Sequence, residues 1–174
     1  MSSFLNNICL CQIGITDNNV VTEPFVYYNN KLKLIVLVKK GFVTDLCSVP
    51  PRLRGSIKDR NRYFRAWAIH DALWRSGDDY RDLGNDALEH CLTILGMSWW
   101  YRTKVFTGLF FGSPTHNKKQ LTNAKKYIKI VQLENEISEK EIKKKSLKIL
   151  KQYKKSKGYQ NVDIPKIIEQ FKND

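Results

Sequence analysis

The sequence lacks an apolar run long enough to cross a membrane, and it lacks a closely spaced cysteine pair of the kind that holds zinc. A transmembrane helix needs about eighteen or more predominantly apolar residues, and structural zinc sites normally use C-x-x-C pairs. The N-terminus also lacks a basic start and a small-residue cleavage site after an apolar run. We therefore expect a protein of a reducing compartment, without a transmembrane segment, and with its cysteines as free thiols: Cys9, Cys11, Cys47 and Cys91.

Negative charge is scarce in this chain. Lysine and arginine together number 30 against 17 acidic residues, so the formal net charge is +13. Such an excess favours nucleic acid, an anionic membrane surface or an acidic partner, and does not distinguish among them. All eight arginines lie between Arg52 and Arg102, whereas sixteen lysines lie in residues 118–174. No recognised nucleic-acid-binding motif accompanies this charge.

The hydrophobic pattern predicts an α+β fold with a motif-bearing domain in residues 1–117 and a Lys-rich helical extension in residues 118–174. The first forty residues are rich in β-forming side chains and predict a small antiparallel sheet. Within it, a hairpin is expected to turn at Asn29 and Asn30, residues that tolerate the left-handed conformation. The second strand begins with polar–apolar alternation from Lys31, which predicts a half-exposed strand.

Three helices are predicted after the sheet, at residues 61–75, at residues 80–95 and from an N-cap at Ser98. A loop near Gly77 would make the first two antiparallel. The third, "SWWYRTKVFTGLFF", holds six aromatic residues. A core helix is the favoured interpretation, and a helix lying at a membrane interface is the alternative. The extension is expected to form one or two amphipathic helices and a last short helix that begins near Asp163.

Two short stretches, "GFVTDLCSVP" and "AIHDALW", carry the candidate site. On a helix, His70 and Asp71 diverge by about 100° and face different sides. Asp86 returns level with His70 if the helix pair is antiparallel, and a carboxylate-bound imidazole is a general base. Asp45 can meet Asp71, and two carboxylates with turn carbonyls suit calcium. The alternative is that Asp45 only holds its turn and Asp86 is a solvated helical residue.

The order and spacing of three stretches resemble an uncharacterised domain family common in phages and prophages. The stretches are "GFVTDLCSVP", "AWAIHDALWRSG" and "RDLGNDALEHCLTILGM", and the resemblance covers about residues 41–112. The family pattern is close to F-x-T-D-[LG]-A-S-[VI]-P, then A-x-x-H-D-x-L-Y, then A-D-x-x-F. The chain departs from it at four positions: Cys47, Trp74, Asn85 and Glu89. The resemblance implies a phage-associated protein of the virion or the host cytoplasm.

The same block is more distantly similar to prokaryotic phospholipase A2. By position, this resemblance implies that His70 is the water-activating base and Asp86 its partner. It implies that Asp45, Asp71 and the Leu46 carbonyl bind calcium, which would polarise an ester carbonyl. A phage-associated, hydrolase-like protein, with calcium-dependent phospholipid hydrolysis as the reaction, is therefore the first functional hypothesis.

Two further hypotheses use the same residues differently. In the second, the protein is a non-catalytic virion structural or partner-binding protein, and the motif holds a turn against a helix pair. In the third, it is a nucleic-acid-associated basic protein. The corresponding partners are other phage proteins, an anionic membrane surface or nucleic acid. The geometry of Asp45 with Asp71, and of Asp86 with His70, separates the first hypothesis from the others.

Overall fold

The computed structural model describes residues 2–14, 18–46, 60–112 and 118–172. The strands are β1 (Ser2–Phe4), β2 (Cys9–Gln12), β3 (Asn19–Glu23), β4 (Phe25–Asn29), β5 (Leu34–Val38), β6 (Val43–Thr44) and β7 (Ile128–Gln132). The helices are α1 (Phe64–Trp74), α2 (Arg81–Ile94), α3 (Trp99–Gly112), α4 (Lys118–Tyr127), α5 (Glu139–Lys154), α6 (Lys157–Gln160) and α7 (Ile164–Phe171). The predicted α+β class is confirmed.

The strands form two antiparallel sheets, one in the order β1-β4-β5-β7 and the other in the order β2-β3-β6. The predicted hairpin is β4 and β5, and its turn begins one residue later than expected. Asn29 still pairs with Leu34, and its side-chain oxygen accepts from the N–H of Leu32 at 3.1 Å. Lys33 takes the left-handed conformation at φ 51°, and its N–H donates to the Asn30 carbonyl at 3.0 Å.

Strand β5 is buried on both faces, so the prediction of a half-exposed strand is wrong. Its even-numbered residues join the main core beneath α1 and α2. Ile35 and Leu37, on the other face, pack in a second cluster with Ile142 of α5. The alternation that begins at Lys31 belongs to the turn. The cover over the second face comes from residues about a hundred positions later in the chain.

Residues 118–172 are built into the fold. Strand β7 pairs with β5, from Ile128 opposite Val38 to Gln132 opposite Leu34, and α5 packs on β4 and β5. Helices α5 and α7 agree with the predicted helices, and Asp163 caps α7 by accepting from the Lys166 N–H at 3.1 Å. The prediction of helices throughout this segment is wrong for Ile128–Gln132. These residues pair with β5 and form an extended strand.

Helices α1 and α2 form the predicted antiparallel pair. Trp74, at the end of α1, lies against Gly84 near the start of α2. Arg62, just before α1, lies against Gly96, just after α2. A Cβ atom at Gly84 would come within 2.8 Å of the Trp74 ring, so glycine permits this close approach. The pairing brings the motif residues of α1 beside the first turns of α2.

Helix α5 begins with a capping box formed by Ser138 and Glu141. A first prediction concerns the stability that this capping box contributes. Ser138 Oγ accepts from the Glu141 N–H at 3.2 Å, and Glu141 Oε2 accepts from the Ser138 N–H at 3.0 Å. We expect Ser138→Ala to lower the free energy of unfolding by about 1 kcal/mol in urea denaturation. Ser138→Asn retains a capping oxygen and is expected to lose only a few tenths of that. Equal losses in both variants would contradict the capping role.

The same cap predicts a pH dependence. The hydrogen bonds from Ser138 lower the pKa of Glu141 below its usual value of 4.5. A depressed pKa stabilises the folded state above pH 4.5, and this contribution is lost as the pH falls through the lower, folded value. Acidification from pH 4.5 to the folded-state pKa of Glu141 should therefore lower the free energy of unfolding of Ser138→Ala less than that of the wild type.

Candidate functional site

Asp45 follows β6 in a turn shaped by its neighbours. Leu46 takes the left-handed conformation at φ 54° and is buried. Its N–H donates to Thr44 Oγ1 at 3.1 Å, which closes the turn. The carboxylate of Asp45 is 19% exposed at the edge of the core. The later residues Ser48, Val49 and Pro50 would fix the direction of Asp45 by their place in the sequence, and they lie outside the described residues.

Asp45 and Asp71 lie close together, as their spacing in the sequence permits, and both bind the guanidinium of Arg75. Asp71 lies on α1 with no solvent exposure, and Arg75 follows one helical turn later. Arg75 Nη2 donates to Asp45 Oδ1 at 3.1 Å and to Asp71 Oδ2 at 3.3 Å. Its Nη1 donates to the Val43 carbonyl at 2.7 Å, and Thr44 Oγ1 donates to Asp71 Oδ2. This buried network ties β6 and its turn to α1.

The donor set around Asp45 and Asp71 does not fit the predicted calcium site. Calcium takes six to eight oxygen ligands, and here the converging carboxylate oxygens already accept from one guanidinium nitrogen. A divalent cation bound beside Arg75 would also be repelled by its buried positive charge. Within the described ranges, no three His, Cys, Asp or Glu side chains are grouped to hold a metal.

Sequence reasoning missed Arg75, although a signal for it was present. Asp71 and Arg75 are separated by four residues, and on a helix this spacing places a carboxylate and a guanidinium on the same face. The rest of the network depends on β6 packing against that face. The sequence therefore contains the ion pair but does not show that Asp45 joins it.

His70 is held by Asn85 and lies almost wholly inside the protein, with 1% exposure. His70 Nε2 lies 3.2 Å from Asn85 Oδ1, and Trp74 Nε1 donates to the same oxygen at 3.3 Å. An indole nitrogen can only donate, so the amide oxygen of Asn85 must face both rings. In this arrangement His70 Nε2 therefore carries a hydrogen and donates a hydrogen bond to Asn85 Oδ1.

Asp86, the predicted partner of His70, lies on the exposed side of α2. Adjacent residues on a helix point about 100° apart, so α2 turns Asn85 toward His70 and Asp86 toward solvent. Sequence reasoning missed Asn85. Trp74 and Asn85 are two of the positions at which the chain departs from the phage-family pattern, and these two side chains share the contact with His70.

A surface groove of about 390 Å³ opens beside this contact, between Trp74 and Asn85 on one side and α3 on the other. Helix α3 buries Val105 and Leu109, as a core helix should. Of the side chains described on its other face, those of Trp99 (69% exposed), Trp100 (60%) and Phe110 (84%) lie in solvent. Helix α3 contains no acidic residue. The prediction of a core helix thus holds for the buried face of α3. The opposite face of α3 exposes aromatic side chains to solvent.

A comparison with protein-family models matches residues 19–109 to a family described as protein of unknown function (DUF1353). The matched range runs from β3 into α3 and spans just over half of the chain. The chain belongs to the DUF1353 family. The DUF1353 match contains the whole network from Asp45 to Arg75 together with His70 and Asn85.

No curated protein and no solved structure matches the chain. Within the ranges described, no helix of this DUF1353 protein is long and apolar enough to span a bilayer.

Proposed function

We propose that this protein is a non-catalytic, partner-binding protein and that its motif is a structural brace. The observation that carries the proposal is the position of Arg75, whose guanidinium binds Asp45, Asp71 and the Val43 carbonyl. The guanidinium neutralises one of the two carboxylate charges and bonds to both, so it occupies the place between them that a bound cation would take. Its effect is to hold the turn after β6 against α1.

The surroundings of His70 support a positioning role. A general base needs a free nitrogen within hydrogen-bond reach of water or substrate. His70 is almost fully buried, so bulk water has little access to its ring, and with Nε2 donating to Asn85 only Nδ1 could accept a proton. An amide does not stabilise an imidazolium as a carboxylate does, so Asn85 gives His70 little help in accepting a proton. The imidazole instead joins α1 to α2 through Asn85.

Two surface features support partner binding. The exposed aromatic face of α3 has the side chains that are enriched in the centres of protein interfaces. The net charge of +13 favours a partner with acidic or phosphate groups. The likeness of the motif to phage and prophage sequences supports a role within a phage-encoded assembly, in the virion or the host cytoplasm.

A calcium and hydrolysis test separates this proposal from the hydrolase hypothesis. A ligand that binds only the folded state at 100 times its Kd stabilises the protein by about 2.7 kcal/mol. We expect excess calcium to leave the melting temperature unchanged relative to EDTA, measured by differential scanning fluorimetry with magnesium as the control. We also expect fatty-acid release from phospholipid vesicles to stay at the rate without protein.

Two results would overturn the proposal. One is a calcium-induced rise in melting temperature that Asp45→Asn abolishes. The other is vesicle hydrolysis by the wild type that His70→Gln abolishes while its circular dichroism spectrum is retained. Either result would favour calcium-dependent hydrolysis at the same residues.

A further inference from the structure

A basic groove lies where the ends of β5 and α4 meet α5 and α6. One part of about 350 Å³ includes Lys39, Lys126 and Lys157 in its lining. An adjoining part of about 270 Å³ shares Lys39 with the first and adds Lys129. We call the two parts together the lysine groove. Among the described residues that line it, none is acidic.

Lys39 is the lysine at which the two parts of the groove meet. The Lys39 ammonium donates to the Lys126 carbonyl at 3.1 Å, which holds its charge at the C-terminal end of α4. Burial, followed by repulsion from Lys129, lowers the pKa of Lys39. Glu23 accepts a hydrogen bond from Tyr159 of α6 but does not line the groove. Its carboxylate is paired with Lys154 at 3.3 Å. Positive charge therefore accumulates in the groove, and a bound anion would relieve the repulsion.

The shape and lining of the groove favour a flexible chain of phosphates over a bilayer. A chain can enter a concave cleft between secondary-structure elements, whereas a bilayer presents its headgroups as a broad surface. The large exposed aromatics that would insert among lipids, Trp99, Trp100 and Phe110, are on α3 and do not line the groove. Lysine binds phosphate as a point charge, so this recognition would be independent of base sequence.

We propose that the lysine groove binds the phosphate backbone of single-stranded nucleic acid. The inference rests on the proposed partner-binding function and names the chemistry of one partner. Asn161 adds an amide to the same lining, and Lys126 and Lys157 are exposed at the opening. Binding should weaken steeply with salt, because each neutralised phosphate releases condensed counterions.

The test measures fluorescence anisotropy of a labelled oligothymidylate across a salt series, with the full chain. The groove variant is Lys39→Gln/Lys126→Gln/Lys157→Gln. The matched control, Lys140→Gln/Lys144→Gln/Lys151→Gln, removes the same charge from exposed positions of α5. We expect the groove variant to bind about tenfold more weakly at low salt. Its salt slope should fall by about 2, at about 0.7 per phosphate contact. The control should change affinity less than about threefold.

Several results would overturn the assignment. Equal weakening in the two triple variants would show diffuse attraction, and no binding by the wild type would exclude nucleic acid as the partner. Binding only to vesicles of anionic phospholipid, lost in the groove variant, would assign the groove to lipid headgroups. If the groove variant melts well below the control, Lys126→Gln and Lys157→Gln are used singly, each with an expected slope change of about 0.7.

The two proposals fail in different ways. Vesicle hydrolysis or calcium-dependent stability would overturn the non-catalytic brace without changing the oligonucleotide result. Oligonucleotide binding that is insensitive to Lys39, Lys126 and Lys157 would overturn the groove assignment while leaving the Arg75 network unaffected.

Discussion

Replacing Arg75 with methionine is expected to lower the free energy of unfolding by about 3–5 kcal/mol, measured by urea denaturation. The substitution leaves the Asp71 carboxylate buried without its guanidinium partner, and removal of one member of a buried ion pair has a cost of this size. Asp45, being partly exposed, recovers some hydration. The Val43 carbonyl also loses the Arg75 hydrogen bond.

The control for this prediction is Arg81→Met. Arg81 pairs with Asp78 at 3.0 Å on the surface, with 55% and 86% of their side chains exposed. Such exposed pairs contribute less than about 1 kcal/mol. Adding Asp71→Asn to Arg75→Met should restore part of the loss, because no uncompensated buried charge remains. If Arg75→Met costs no more than Arg81→Met, the network is not the brace that we propose.

Gly41→Ala is expected to cost about 3 kcal/mol by the same measurement. Gly41 has φ 96°, and a Cβ atom there would lie 2.7 Å from Cε1 of Tyr127 and 3.0 Å from Cδ1 of Ile167. The left-handed conformation costs an alanine about 1–2 kcal/mol, and overpacking adds about 1–3 kcal/mol. Both contacts come from residues 118–172, so the loss reports how tightly that segment packs on the turn before β6.

Gly77→Ala isolates the backbone contribution. Gly77 has φ 139°, and a Cβ atom there would meet nothing within 4 Å. We expect its cost to be the conformational part alone, about 1–2 kcal/mol. Equal losses at Gly41 and Gly77 would mean that Tyr127 and Ile167 do not pack against the turn as described.

Local patterns predicted most of the secondary structure and part of the site. The hairpin, the α1–α2 pair and the short helix capped by Asp163 all follow from periodicity, turn residues and caps that lie close together in the chain. The spacing of Asp45 and Asp71 permits their convergence, and the packing of β6 on α1 produces it. The hairpin, the helix pair and the cap depend on residues close together in the chain, so local sequence specifies them.

Long-range packing decided the remaining features of the fold. The apolar residues of Ile128–Gln132 suit a helix or a strand by pattern alone, and pairing with β5 selects the strand. The same pairing, with α5 packed on the sheet, buries the second face of β5. A pattern read within β5 cannot reveal a cover that arrives about a hundred residues later.

The sequence by itself determined the fold class and the helix pair that carries the motif residues, because each follows from local period and spacing. Only the tertiary structure decided what those residues contact. The rotation of α2 turned Asn85 rather than Asp86 toward His70, and the packing of β6 on α1 placed the Arg75 guanidinium between the two carboxylates. A rotation of about 100° between neighbouring helical residues changes a side chain's partner, and helix packing sets that rotation.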